Sequence, residues 1–259
     1  MEFVKLQEDG FITTVTVSRV DALNALNTQV LLDLEEAVDQ IDPAKTRVVI
    51  VTGEGDKSFV AGADIKEMVD LTVEEAATFA DVGKRVFQKI EDLPMPVIAE
   101  INGYSLGGGL ELALSCDIRY ASESAKFSFP EVGLGILPGF GGTQRLMRVI
   151  GSMSVAKELV FSTKMIGAEE AKEIGLISSF HAADSLHDAV LKLAGKISLN
   201  APIGVKNAKA SMNKGAEVSQ AEGMVIETEN FAACFSSLDQ KEGMTAFLEK
   251  RKEKNFKNQ

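Results

Sequence analysis

Ile101-Asn-Gly-Tyr-Ser-Leu-Gly-Gly-Gly-Leu-Glu-Leu-Ala-Leu-Ser-Cys-Asp117 is the stretch from which both fold and chemistry are read. The apolar run Val97 to Ile101, set off by Pro94 and Pro96, predicts a buried strand, and Leu110 to Ser115 predicts a helix beyond the glycine turn. A helix beginning near Gly108 aims unpaired N–H groups and the positive end of its dipole at whatever binds there, which suits an oxygen gaining negative charge. Glu111 follows one turn later, within reach of a carbon next to that oxygen. The plainer alternative is a packing corner between strand and helix, with Glu111 on a wetted face.

Upstream, Phe3 to Glu8 and Phe11 to Ser18 alternate in period two around Asp9-Gly10, a hairpin signal. Asn27 or Thr28 caps a helix carrying Val30, Leu31, Leu34, Ala37, Val38 and Ile41, which Asp42-Pro43 stops. Arg47 to Thr52 reads as a strand buried on both faces, and Ser58 to Asp64 as a small-residue loop entering a short helix around Ile65 to Val69. Thr72 and Glu75 form a capping box that opens a long helix to about Asp92. Downstream, Ile118 to Ala121 is a further strand, and alternation of strands and helices continues to about Phe180, an α/β pattern. Beyond it, Leu186 to Leu199, Ile203 to Asn213, Val218 to Phe235 and Gln240 to Lys254 carry only helical periodicity. An α/β core over residues 1–195 and a helical region over 196–259 are expected.

The composition of the 259 residues, 45 % hydrophobic and 25 % charged, is that of a globular protein and excludes disorder as the dominant state. A formal charge of −11 opposes general attraction to nucleic acid or anionic membrane, so neither is expected as a partner. Two cysteines, Cys116 and Cys234, make no disulfide framework, and no Cys/His cluster suggests a metal. No secretory signal and no uninterrupted apolar run long enough for a membrane span are visible, so a cytoplasmic location is expected.

Three further motifs tempt; the first falls well behind, with Ser105→Ala as its test, and the other two fail. Gly103-Tyr-Ser105-Leu-Gly107 matches the nucleophile elbow of serine hydrolases, but only His181 and His187 exist to complete a triad, and neither lies in a site-like loop. Thr52-Gly-Glu-Gly-Asp-Lys-Ser58 places Asp56 where a phosphate loop needs none. Gly133 to Gly139 lacks the third glycine of a dinucleotide fingerprint, and its Pro138 has no N–H to donate.

Two other segments add to the first. In Lys126-Phe-Ser-Phe-Pro-Glu131-Val-Gly-Leu-Gly-Ile-Leu-Pro-Gly-Phe-Gly-Gly-Thr-Gln-Arg145, a second glutamate is framed by proline and aliphatic residues. Such surroundings desolvate a carboxylate and let it hold a proton near neutral pH, although Glu131 alone also reads as an ordinary turn residue. In Ser58-Phe-Val-Ala61-Gly-Ala-Asp-Ile-Lys-Glu-Met68, the N–H of Ala61 is a candidate second donor to the same oxygen.

Taken in order, Asn24-Ala-Leu-Asn27, Phe59 to Met68, Ile101 to Asp117 and Phe129 to Arg145 resemble the enoyl-CoA hydratase/isomerase (crotonase) superfamily, and the likeness runs on to Glu242–Arg251. The resemblance implies a crotonase (ClpP-like) spiral of ββα units with terminal helices that build a trimer, often paired into a hexamer. It implies an oxyanion hole at Ala61 and Gly108 for the thioester of a short acyl-CoA, and acid/base work by Glu111 and Glu131, whose co-occurrence favours the hydratase branch. Reversible hydration of a trans-2-enoyl-CoA, or dehydration of the 3-hydroxyacyl-CoA, is thereby expected, without a metal or cofactor beyond the CoA of the substrate. An isomerase, an acyl-CoA hydrolase or a non-catalytic acyl-CoA- or RNA-binding relative are the alternatives. For CoA itself the resemblance suggests Ala22 and Leu23, backbone at Ala63, Asp64 and Ile65, and Phe231 and Lys250 from a neighbouring subunit.

Overall fold

From the third strand to the eighth, successive strands of the chain are dealt alternately to two sheets, in a computed structural model that describes residues 1–259. The opening hairpin, β1 (Val4–Asp9) and β2 (Ile12–Val17), turns at Gly10 with φ +58°. Helix α1 (Thr28–Gln40) follows, with the Asn27 side chain accepting from the Val30 N–H. Three ββα units come next. The first is β3 (Val48–Gly53), β4 (Ser58–Ala61), α2 (Ile65–Met68) and α3 (Val73–Glu91), the last opened by the Thr72/Glu75 capping box. The second is β5 (Val97–Ile101), β6 (Tyr104–Leu106) and α4 (Gly108–Leu114). The third is β7 (Ile118–Ser122), β8 (Lys126–Ser128) and α5 (Gly142–Ile150). Then come α6 (Met153–Ser162), β9 (Ile166–Gly167), α7 (Ala168–Glu173), β10 (Ser179–His181) and four helices: α8 (Leu186–Ser198), α9 (Pro202–Gly215), α10 (Gln220–Cys234) and α11 (Leu238–Leu248).

The larger sheet runs β1-β2-β3-β5-β7-β10, parallel after the hairpin, and the smaller runs β4-β6-β8-β9. Strand β3 shows why its run is continuously apolar. Val49 and Val51 face the main core, whereas Val48 and Ile50 face a second cluster under Leu186, Val190 and Ala194 of α8. The sheet is thus covered on both faces. The 195/196 position falls inside α8, and α9 and α10 beyond it bury no residue of their own.

Two local expectations are corrected. Ser58 to Ala61 is a strand, not a loop, and the glycine turn after Ile101 contains the short strand β6; both belong to a smaller sheet whose two- to four-residue strands are too brief to show a period. The last helix stops at Leu248, because the chain turns at Lys250 (φ +57°) and folds back so that Asp239 accepts from the N–H groups of Lys257 and Asn258.

Candidate active site

Strands β4, β6 and β8 are parallel neighbours, and each is followed at its C-terminal end by one of the three segments singled out above. The sheet therefore brings Ala61–Ala63, Gly107–Gly108 and Pro130–Glu131 to one edge, where they line a cavity of about 650 Å³. Its walls are mainly apolar, with Met68, Leu71, Phe79, Leu134 and Phe140 around the carboxyls of Glu111 and Glu131. Three rings pack at one wall: Phe140 meets Phe79 and Phe87 edge to face at 5.3 and 5.6 Å.

Glu111 is 2 % exposed, not on a wetted face. Its Oε1 accepts from the N–H of Phe140 at 2.8 Å and of Gly142 at 2.6 Å. Gly142 has to be glycine here, since a Cβ would lie 2.9 Å from Glu111 Cγ and 2.8 Å from the Phe129 ring. Burial pushes the Glu111 carboxyl up to about 7; the two N–H donors oppose that push and the nearby Glu131 adds to it. Glu131 is 8 % exposed and also lifted to about 7 by burial, with only its own N–H opposing. Its Oε2 is buried without a hydrogen-bond partner. A buried carboxyl oxygen without a partner, on a residue that lines a cavity, is a place for a proton or a polar ligand. Gly107, with φ +47°, makes room for it: a Cβ there would come within 2.7 Å of Glu131 Oε1.

The backbone donors differ from expectation. Gly108 is the first residue of α4, and its N–H has no partner in the chain. Ala61 is corrected: its N–H already donates to the Leu23 carbonyl at 3.1 Å, which closes the end of β4. The free donor is Ala63. Leu26 bridges to it in parallel fashion, with the Leu26 N–H on the Gly62 carbonyl at 2.8 Å and the Asp64 N–H on the Leu26 carbonyl at 2.7 Å. A parallel bridge of this kind uses the groups on either side of Ala63 and turns its own N–H the other way. That N–H has no partner, and Ala63 lines the cavity. The strand β4 that the sequence hid is what displaces the donor by two residues.

The other sequence candidates scatter. Ile65 lines the cavity mouth and is 53 % exposed. The Asp64 carboxylate is committed to Arg19 at 2.7 Å and to capping α2, and the Arg19 charge beside it holds it below the ordinary aspartate range. Ala22 and Leu23 form the turn fastened to β4 rather than the cavity wall. Phe231 on α10 and Lys250 are exposed and do not line this cavity within the chain. The hydrolase alternative fails on geometry. Ser105 is fully buried with an unpartnered Oγ, while His181 pairs with Ser179 and His187 with Glu100.

Known proteins resemble the chain over nearly its whole length. Residues 7–259 match the enoyl-CoA hydratase/isomerase family. The short-chain-enoyl-CoA hydratase of Clostridium acetobutylicum is 47 % identical over 256 residues, 98 % of each chain, and the crotonyl-CoA hydratase of Syntrophomonas wolfei 47 % over 253 residues, covering 97 % of this chain and 96 % of that one. The crystal structure of an enoyl-CoA hydratase from Bacillus anthracis superposes with a TM-score of 0.95 at 38 % identity, over 99 % of this chain and 100 % of the other. Two buried carboxyls and two free N–H groups around one cavity, on this fold and with these relatives, make the chain a member of the enoyl-CoA hydratase/isomerase (crotonase) family.

Proposed function

We propose that the protein adds water reversibly across the double bond of a short-chain trans-2-enoyl-CoA, crotonyl-CoA being the type substrate, to give the 3-hydroxyacyl-CoA. The observation that carries this is the unlike environment of two carboxyls on one cavity. Glu111 receives two N–H bonds, which favour its ionised form, whereas Glu131 Oε2 has none, which favours the acid. In hydration, the Glu111 carboxylate takes a proton from water as the water oxygen bonds to Cβ. The displaced electron pair moves to the thioester oxygen, which accepts from the N–H groups of Ala63 and Gly108. These donors bind the enolate oxygen more strongly than the ground-state carbonyl, an effect worth on the order of 10²–10³ in rate per donor. Glu131 then gives its proton to Cα, and one proton crosses back between the carboxyls to reset the pair. In this proposal both carboxyls work on one face of the substrate, so that oxygen and proton add syn.

Addition of water is redox-neutral, and these four groups supply its proton transfers and charge stabilisation, so no metal or redox cofactor enters the proposal. The ring wall of Phe79 and Phe140 favours a short acyl group. The helices α9–α11 expose Met212, Phe231, Phe247 and Leu248, each more than half accessible, which supports burial against further copies as a trimer or a dimer of trimers. Charge and composition support a cytoplasmic protein that does not bind nucleic acid, and no helix is long and apolar enough to cross a membrane. The test follows loss of the conjugated thioester absorbance with C4 to C10 enoyl-CoAs, with product identified by mass and chirality. Glu111→Gln and Glu131→Gln are each expected to slow hydration about 10²–10⁴-fold with folding intact. Full turnover in either variant, or a shifted double bond as sole product, defeats the proposal.

A further inference from the structure

We propose that Arg145, which does not itself line the cavity, is a positioning residue for the reaction, holding the Phe140–Gly142 turn in the one conformation that aims two N–H groups at Glu111. The inference rests on Glu111 being the base.

Arg145 lies in the first turn of α5, yet its side chain is only 13 % exposed. It runs back beneath the turn instead of out to solvent. Nη1 donates to the Phe140 carbonyl at 3.0 Å, Nε to Glu91 Oε2 at 2.8 Å and Nη2 to Gln88 Oε1 at 3.2 Å, so one planar fork ties the turn to α3. The turn needs such a tie. Between the two donors to Glu111 stands Gly141 at φ +109°, a conformation that only glycine adopts without strain. A Cβ at Gly141 would lie 2.4 Å from Arg145 Nη1, so the guanidinium occupies the space that the missing side chain leaves. A glycine hinge left to itself is free to swing, and a shift of about 1 Å in a supporting group costs on the order of 10²-fold in rate.

The guanidinium also contributes charge. Among the groups facing Glu111, Glu131 raises its carboxyl and Arg145 lowers it, while Glu91 stands behind Arg145 and partly neutralises it. The other cation of α5, Arg148, turns outward to Gln144, and β4 and β6, which pack on α4, carry no charged side chain. Removing Arg145 and removing Glu91 therefore displace the ionisation of Glu111 in opposite directions, a signature that loosened packing does not produce.

The experiment measures kcat, KM and the pH dependence of kcat/KM with crotonyl-CoA for Arg145→Met, Arg145→Lys, Glu91→Gln and Glu111→Gln. Arg145→Met is expected to lower kcat about 10- to 100-fold, to change KM only a few-fold, and to move the acid limb to higher pH. Arg145→Lys keeps the charge without the three-way fork, so kcat falls and the limb stays. Glu91→Gln leaves the fork on Phe140 and moves the limb to lower pH. A wild-type kcat in Arg145→Met, or kcat and KM changing in step with an unmoved limb, overturns the proposal. If Arg145→Met does not fold, an unmoved limb in Glu91→Gln overturns it equally. Hydration retained by Glu111→Gln defeats the base assignment itself, whereas an inactive Glu111→Gln beside a fully active Arg145→Met defeats the positioning role alone.

Discussion

Glu111→Gln should make the protein more stable above neutral pH, by an amount that the structure sets. The wild-type carboxyl is held at about 7 against an ordinary value of 4.5, chiefly because burial penalises its charged form. A raised folded-state value means that the folded protein binds the proton more tightly than the unfolded chain does. The associated stability is fully present below about pH 4.5 and is lost as pH rises through about 7. The gap, at roughly 1.4 kcal/mol per pH unit, amounts to about 3 kcal/mol by pH 8. Glutamine keeps the shape, and its carbonyl oxygen still accepts from Phe140 and Gly142, but it carries no charge to desolvate. The variant and wild type should therefore melt together near pH 3.5, separate progressively between about pH 4.5 and 7, and keep that gap at pH 8. At roughly 2–4 °C per kcal/mol, the variant should then melt roughly 6–12 °C higher. Paired thermal melts in one buffer series at one protein concentration measure this difference, and the many other titrating groups cancel in it. A difference that does not depend on pH, or a variant less stable at pH 8, refutes the claim that a desolvated carboxylate is being held in the cavity against its own solvation.

Three further outcomes follow from the same geometry. Gly107→Ala places a Cβ 2.7 Å from Glu131 Oε1 at a φ of +47°, so kcat should collapse while circular dichroism stays native; wild-type turnover would show that Glu131 has room it does not use. Phe140→Ala removes one ring of the wall, costing about 3–5 kcal/mol of stability in a urea titration, and should raise the ratio of C8 to C4 turnover; an unchanged ratio places the acyl end elsewhere. Lys209→Met deletes the donor that reaches Asp117 at 2.8 Å and the Met95 carbonyl at 3.1 Å, and should cost roughly 1.5–3 kcal/mol by removing a charge-assisted contact between α9 and the core.

The elements legible in the sequence were those long enough to carry a period. The hairpin at Gly10, the Asn27 cap, the Thr72/Glu75 capping box and the doubly buried run of β3 all stand where their patterns put them. Glu111 was legible as a candidate because it stands one turn into the helix after the glycines, and Glu131 because its neighbours are proline and aliphatic residues, although nothing local in the chain says that they share a cavity. What stayed hidden is the smaller sheet. Its strands β4, β6 and β8 have three or four residues each, and their pairing is with segments about 20 to 45 residues away. Missing β4 had a chemical consequence. With Ser58 to Asp64 read as a loop, Ala61 looked like a free donor, whereas as the last residue of a strand its N–H is consumed by Leu23 and the free group lies at Ala63. Arg145 was equally hidden, because its partners Gln88 and Glu91 lie on α3, more than 50 residues upstream.

The shortness of those strands is itself part of how the site works. Adjacent parallel strands lie about 4.8 Å apart, so residues just past the ends of β4, β6 and β8 fall within one or two such spacings of one another. At that separation main-chain groups converge on a single ligand atom without side chains to span the gap. Backbone donors have no rotamers to freeze and are fixed by the sheet before substrate arrives, which is what stabilisation of a developing oxyanion requires. The carboxyls need the opposite treatment, since their protonation must change during turnover. They stand on α4 and on the turn after β8, each supported by one neighbouring feature, the N–H pair for Glu111 and the Cβ-free Gly107 for Glu131. Lengthening β4 or β6 by a residue would turn the donors to the other face of the sheet, so the oxyanion hole depends on where the small strands stop as much as on which residues follow them.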